Sequence, residues 1–249
     1  GVDIRALSRD PEIPTTLALV HTFPNGDRDF SFYRKPGADI LLSEADLDPE
    51  LLRNCRIFHF GTLSLTDEPA AAATRKAIET AKAAGVLISL DPNLRKPLWK
   101  TEEDAKDAIE WSLRQADIVK ISDEEIHFLW GLSPEEGARK LIREYGVSLV
   151  YATLGPKGCF AATVNQEVTV ESPRGIHVVD TTGAGDIFGG SAMSRFLKLE
   201  KAPADLTEAD LRGIVRFACT AASLSTQKHG GISSVPDMEK VLDKIAEQA

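Results

Sequence analysis

The sequence is poor in cysteine, in aromatic residues and in positive charge, and it has no long apolar run. Three cysteines occur in 249 residues, Cys55, Cys159 and Cys219, odd in number and far apart. They suit neither a disulfide framework nor a metal cluster and read as small core residues of a reducing compartment. No stretch approaches the roughly 20 apolar residues that span a bilayer, and nothing reads as a signal peptide. A soluble, cytoplasmic protein with no membrane partner is expected. Acidic residues outnumber basic ones, 38 to 29, for a formal charge of −9. That surplus argues against nucleic acid held by bulk electrostatics, yet a nucleotide can still be held by local N–H groups and a few cations. Neither a P-loop nor a Gly-x-Gly-x-x-Gly after the first recognisable βα strand is there, so a Rossmann dehydrogenase fits poorly.

What is there is an ordinary globular composition, 43% hydrophobic and 27% charged, on a chain long enough for one α/β domain with a buried core. Thr15 to Phe23 and Asp29 to Arg34 are β-rich runs joined by Pro24-Asn25-Gly26-Asp27, a hairpin signal. Leu17, Leu19 and Phe23 alternate onto one face, as do Phe30 and Phe32. Ser43 to Asn54 reads as a short helix. From Arg56 the period alternates: strand 57–60, helix 68–84, strand 86–90, helix 101–115, strand 117–121. Helix 134–145, strands 148–154 and 159–164, and helices 207–226 and 237–246 follow. Such alternation predicts a mostly parallel sheet flanked by helices, a three-layer α/β/α arrangement with ligands at the C-terminal strand ends.

One stretch concentrates the chemistry: Asp180-Thr181-Thr182-Gly183-Ala184-Gly185-Asp186. The β-branched Ile176–Val179 before it reads as a strand and the small, apolar residues after it as a helix. Glycines at a helix start let a ligand approach the backbone, and the first turn offers unpaired N–H groups to an anion. Asp186 in that turn reads either as a dipole partner of the helix or as a reactive carboxylate. Other strand ends carry Asp91-Pro92-Asn93-Leu94-Arg95 and Ser122-Asp123-Glu124-Glu125. The first reads as a surface loop or an anion contact, the second as dipole partners or a hydrated magnesium site. Gly155-Pro156-Lys157-Gly158 alone is a hairpin turn, and His59 within its strand reads as structural.

Together these motifs resemble the ribokinase-like (PfkB) carbohydrate kinases, their bacterial fructokinase members in particular. The resemblance implies a ribokinase-like fold with a small β-sheet lid, and ATP-dependent phosphorylation of a sugar, fructose to fructose 6-phosphate as the first expectation. It implies Asp186 as the base, the N–H groups of Gly183, Ala184 and Gly185 as the anion hole, and Arg95 on the transferring phosphate, with Asn93 and Asp91 shaping the site. By the same resemblance Arg34 in the lid is directed at substrate. Glu125 holds Mg2+ through water, in an Asn-x-x-Glu motif where Ser122 replaces Asn. Thr153, Gly155 and Gly158 join His229 and Gly230 around the nucleotide. Asp180, Thr182 and Ser234 are weaker candidates around K+, and the lid is expected to carry a homodimer interface.

Relatives also carry an N-terminal strand and a Gly-Gly…Asn sugar motif that the residues here do not show. The expected organisation is therefore a single domain over 1–249 lacking that segment, with 15–41 as an inserted lid hairpin. Three alternatives stay open: a 2-keto-3-deoxygluconate kinase, a nucleoside kinase, and a truncated nucleotide-binding fragment without activity.

Overall fold

The computed structural model describes residues 2–22, 28–35 and 37–248. They group into two compact units, Gly1–His21 with Asp29–Val119, and Thr22–Arg28 with Lys120–Ala249.

In the first unit, β1 (Leu17–Thr22) and β2 (Arg28–Tyr33) form a separate two-stranded sheet. The Pro24–Asp27 turn and the side chains of Phe23 and Phe30 lie outside the described residues. Leu17, Leu19 and Val20 are 55, 49 and 44% exposed, so β1 is not a strand packed on the core. The helix expected over 43–54 is two pieces. Ser43 and Asp46 close a short 3-10 turn with a capping box. Asp48 then caps α1 (Pro49–Asn54), accepting from the N–H groups of Glu50 and Leu51. Pro49 causes the break, since it lacks an N–H and suits only a helix start.

Strands β3 (Ile57–Gly61), β4 (Leu87–Asp91) and the first half of β5 (Ile118–Ser122) pair in parallel, with Phe60 opposite Leu90 and Leu90 opposite Val119. Helices α2 (Ala70–Ala83) and α3 (Glu102–Leu113) connect them. Along α2 the buried Ala70, Ala73, Ala77 and Ala81 form a stripe three or four residues apart. Small side chains there let the helix sit close to β3 and β4, over a core of Ile88, Leu90, Ile109 and Leu113 that is fully closed to solvent.

The second unit opens with the rest of β5 and α4 (Asp123–Trp130), followed by α5 (Pro134–Tyr145) and β6 (Leu149–Thr153). Here the sheet departs from the parallel expectation. β7 (Cys159–Thr163) returns antiparallel along β6 through a turn at Gly155–Lys157, and β8 (Glu167–Val170), which the sequence reading passed over, returns antiparallel along β7. The six main strands form one mixed sheet, ordered β3 to β8. The last helices are α6 (Ala184–Leu199), α7 (Glu208–Ser225) and α8 (Met238–Ala246).

The strand expected over 176–179 is absent. That segment makes no ladder, and the N–H groups of Val179 and Asp180 both donate to the Thr226 carbonyl, at 2.7 and 3.0 Å. β-Branched residues form a strand only where a neighbouring strand accepts them. Val178 instead remains 48% exposed.

Candidate active site

α6 is anchored by its apolar face. Phe188, Ala192 and Phe196 are buried at helical spacing. The Phe188 ring meets the edge of Tyr151 on β6 at 5.9 Å, and the Arg195 guanidinium lies 3.9 Å from the centre of the Phe217 ring on α7. These contacts fix where the helix begins. Gly183 occupies its N-cap with φ of 76°, in the left-handed region, and no side chain caps the helix. A Cβ on Gly183 would stand 3.0 Å from Gly231 Cα. Two requirements therefore select glycine at 183: the backbone conformation and the close passage of a second loop.

The first-turn amides are partly committed. Ala184 N–H donates to the Thr181 carbonyl at 3.2 Å, and Ile187 N–H to the Gly183 carbonyl at 2.8 Å. Among the described residues no acceptor takes the N–H groups of Gly183, Gly185 or Asp186. The open donors thus differ from the expected trio: Ala184 is turned into the loop, and Asp186 contributes its own N–H. The Asp186 side chain is exposed and borders a cleft of about 500 Å³ whose walls include Gly183, Ile187, Phe217, Gly231 and Val241. It is not turned into the interior.

Asp180 has a job the sequence did not disclose. Its Oδ1 accepts from Thr182 N–H at 2.8 Å and its Oδ2 from Gly230 N–H at 2.9 Å. One carboxylate thereby ties the loop after α7 to the turn before α6. Gly230, with φ of 90°, makes the bend possible. His229 is 80% exposed, its Nδ1 3.9 Å from Asp180 Oδ2, while Ser234 is buried and donates through Oγ to the Gly231 carbonyl at 2.8 Å.

The acidic run after β5 is first of all a helix start. Ser122 Oγ accepts from Glu125 N–H at 3.2 Å and Glu125 Oε2 accepts from Ser122 N–H at 2.8 Å, a reciprocal capping box. The signal was legible as Ser-x-x-Glu. Glu125 is buried at 7% exposure. Further along, Thr153 ends β6 with Oγ1 donating to the Ile121 carbonyl at 3.4 Å. Gly155 is exposed with open space over its Cα, whereas a side chain on Gly158 would run into the Val170 carbonyl. That clash and a φ of 112° both require glycine there.

The remaining candidates stand in the first unit. Asp91 is buried at the end of β4, and its Oδ1 accepts from Asn93 N–H at 3.2 Å. Asn93 has φ of 49°, a left-handed turn that Asn tolerates. Arg95 is half-buried, with one Nη1 bond to the Leu94 carbonyl at 3.1 Å. Arg34 is 8% exposed: Nε donates to Asp39 Oδ2 at 2.7 Å, Nη1 to Thr66 Oγ1 at 2.7 Å and Nη2 to the Leu63 carbonyl at 2.9 Å. Partial burial works the other way, but hydrogen bonds from Thr16 and Arg34 hold the Asp39 carboxyl below its usual range. Arg34 is thus braced within its own unit on three sides.

Two of the three cysteines, Cys159 and Cys219, are buried. Burial pushes the Cys219 thiol up to about 12 and the Cys159 thiol well above its ordinary value, which leaves both protonated and inert. Among the described residues no cluster of three or more His, Cys, Asp or Glu side chains could hold a metal by itself, and no helix is long and apolar enough to cross a membrane.

Comparison with known proteins agrees with this geometry. Residues 1–238 match the model of the pfkB family carbohydrate kinases. Fructokinase-2 of Solanum habrochaites is 41% identical over 246 residues, covering 97% of this chain and 73% of that protein. Among solved structures, the fructokinase of Vibrio cholerae O395 bound to fructose, ADP and calcium superposes with a TM-score of 0.86 at 30% identity, over 98% of this chain and 77% of that one. The aminoimidazole riboside kinase of Salmonella enterica, complexed with aminoimidazole riboside and an ATP analog, superposes with a TM-score of 0.83 at 28% identity, over 98% of this chain and 78% of that one. A family match along nearly the whole chain, on a ribokinase-like fold whose glycine-started helix presents an exposed aspartate, has one conclusion: the chain belongs to the pfkB family of carbohydrate kinases.

Proposed function

We propose that this chain transfers the γ-phosphoryl group of ATP to fructose, giving fructose 6-phosphate and ADP. One observation carries the reading: within a single helical turn, open N–H groups at Gly185 and Asp186 stand beside the exposed Asp186 carboxylate. The first pair suits an anion and the second a hydroxyl proton. The named fructokinases among the relatives favour fructose as acceptor.

In this mechanism Asp186 takes the proton of the sugar hydroxyl as its oxygen attacks phosphorus, and the bond to the bridging oxygen of ADP breaks. A positioned general base of this kind supplies ~10²–10⁴ in rate. The open amides receive charge on the phosphoryl oxygens, and Arg95 serves as the cation expected on the same group; a donor of this type is worth about 2.7–4 kcal/mol. Loop 228–236, with His229 and Gly230, covers the nucleotide, held at its base by Asp180; Thr153 and Gly155 complete that surface. Gly158 shapes the turn beneath it. Arg34 and Asn93 serve the sugar side.

The donor set suits magnesium as kinases use it, with one or two carboxylates and the rest water and phosphate. Glu125, buried in the first turn of α4, would hold it through water. The ion would neutralise charge between the terminal phosphates. Asp180, Thr182 and Ser234 would supply oxygen ligands to K+. The exposed Leu17, Leu19, Val20 and Tyr33 of the small sheet suit a homodimer face.

A nucleoside acceptor is the second reading, favoured by the likeness to aminoimidazole riboside kinase. A coupled ADP-release assay over fructose, 2-keto-3-deoxygluconate and a nucleoside panel separates the two. With fructose turning over, Asp186→Asn is expected to lower kcat roughly a hundredfold or more while nucleotide affinity stays near wild type. Undiminished turnover in that variant would remove Asp186 as the base. ADP release with no acceptor of the panel would overturn the kinase reading.

A further inference from the structure

The guanidinium of Arg195, half-buried on α6, lies 3.9 Å from the centre of the Phe217 ring. Among the described residues it makes no ion pair and no hydrogen bond. Two other cation–ring pairs of this unit are placed differently. Arg139 stands 5.7 Å from the Phe160 ring and Lys140 5.7 Å from that of Trp130, and each is held by a carboxylate, Glu167 and Glu144 respectively. Their aromatic contacts accompany ion pairs. The place of Arg195 is set by the ring and not by a carboxylate.

That ring has a second neighbour. Phe217 is buried and borders the cleft beside Asp186, and no other aromatic residue does so among the described residues. α6 gives the cleft a floor of small residues, Gly190, Ser191 and Ser194. A Cβ on Gly190 would meet nothing within 4 Å, so the helix keeps this space open although a glycine in its interior weakens it. Apart from Asp186, the polar side chains on the wall are the hydroxyls of Ser191 and Ser194 alone among the described residues. A flat ligand is held in such a cleft by apolar contact area, and an aromatic ring is a suitable wall for it. Arg195 continues the helix face of Ser191 but does not border the cleft. It stands nine residues beyond Asp186, ~13.5 Å along the helix at about 1.5 Å per residue.

We propose that Arg195 is a positioning residue for the donor nucleotide, holding the Phe217 ring as the cleft wall against which the base packs. The inference rests on the kinase reading given above and concerns how the donor is held, not how it reacts. With the terminal phosphate at the open amides of α6, the nucleotide runs along the cleft and its base reaches Phe217. A planar guanidinium stacked on a ring keeps the ring from tilting. A base that is gripped by apolar contact loses its hold when the ring moves. Direct attraction between Arg195 and the phosphates is the lesser effect, because its distance from Asp186 exceeds the Debye length of about 8 Å. Arg195 acts through the ring.

The test compares ligands with and without a base on the full chain, by titration calorimetry with ATP and inorganic tripolyphosphate alongside steady-state kinetics. Arg195→Leu is expected to weaken ATP about threefold to tenfold, within the worth of one cation–ring contact. KM for ATP should rise accordingly, with kcat at saturating ATP within about twofold of wild type. Tripolyphosphate should bind the variant as it binds wild type, and Arg195→Lys, which keeps the charge but not the plane, should recover part of the loss. In a Phe217→Leu background, adding Arg195→Leu should change ATP affinity by less than about twofold, because the two side chains act as a unit. Unchanged ATP affinity in Arg195→Leu would overturn the assignment. So would equal losses for ATP and tripolyphosphate, the mark of a structural or purely electrostatic residue, or an undiminished loss in the Phe217→Leu background. Should Arg195→Leu fail to fold, Arg195→Lys is read with the same two ligands: a smaller loss confined to ATP is expected, and an unselective loss or none overturns. If the wild-type chain binds ATP but phosphorylates no acceptor, the kinase reading falls by itself, and the contrast between ATP and tripolyphosphate still decides Arg195.

Discussion

Two helices of the second unit, α4 and α6, begin with carboxylates in their first turn and dispose of their amides in opposite ways. α4 closes on itself, because Ser122 and Glu125 satisfy each other's N–H groups. α6 starts from a left-handed glycine with no side-chain cap, and its donors at 185 and 186 stay open. The same box that closes α4 closes α5 through Ser133 and Glu136 and α7 through Thr207 and Asp210. A carboxylate in a first turn is thus ambiguous by itself. What separates a cap from a reactive group is whether a serine or threonine stands three residues earlier. Where a glycine stands there instead, the helix end is left for a ligand.

The contrast can be broken hardest at Gly183. Gly183→Ala forces a Cβ into a left-handed residue and toward Gly231 Cα at 3.0 Å. The expected outcome is about 1–2 kcal/mol of stability lost from the backbone conformation. Displacement of the amides should also lower turnover by about a hundredfold, measured by thermal melts and ADP release together. Turnover within twofold of wild type would mean that the precise start of α6 does not matter.

A smaller effect is expected at the closed helix. Ser122→Ala removes the cap of α4 and should cost about 1 kcal/mol in denaturant unfolding. Its effect on kcat should stay well below that of Asp186→Asn. A kcat loss as large as that variant's would place Ser122 in the reaction instead of the fold.

The smallest effect is a pH dependence at α7. The hydrogen bond from Lys201, then those from Thr207, draw the Asp210 carboxyl down to about 2. A carboxyl lowered from about 3.9 in the unfolded chain stabilises the fold fully above that value, and the contribution is lost as pH falls through about 2. The stability gap between wild type and Asp210→Asn should therefore be level near neutrality and close progressively below about pH 4. A gap that widens on acidification would contradict the capping role.

Much of this was legible in order along the chain. The apolar runs of β3, β4 and β6 and the periodic faces of α2, α5 and α7 were found to within a residue or two, because each element answers to its own pattern of burial. Ile176–Val179 misled, since β-branched residues report a preference that only a neighbouring strand can satisfy. The Ser122–Glu125 box is a local Ser-x-x-Glu signal that sequence alone carries.

The sequence by itself determined the chemistry on offer: a glycine-started helix with an aspartate in its first turn, in a chain with no P-loop and no cysteine framework. Local rules suffice there, because glycine conformation and helix polarity act over a few residues. Tertiary structure decided which amides stay open, and that Asp180 ties two distant loops together. Those contacts depend on packing between elements far apart in sequence, and no window of neighbouring residues contains them.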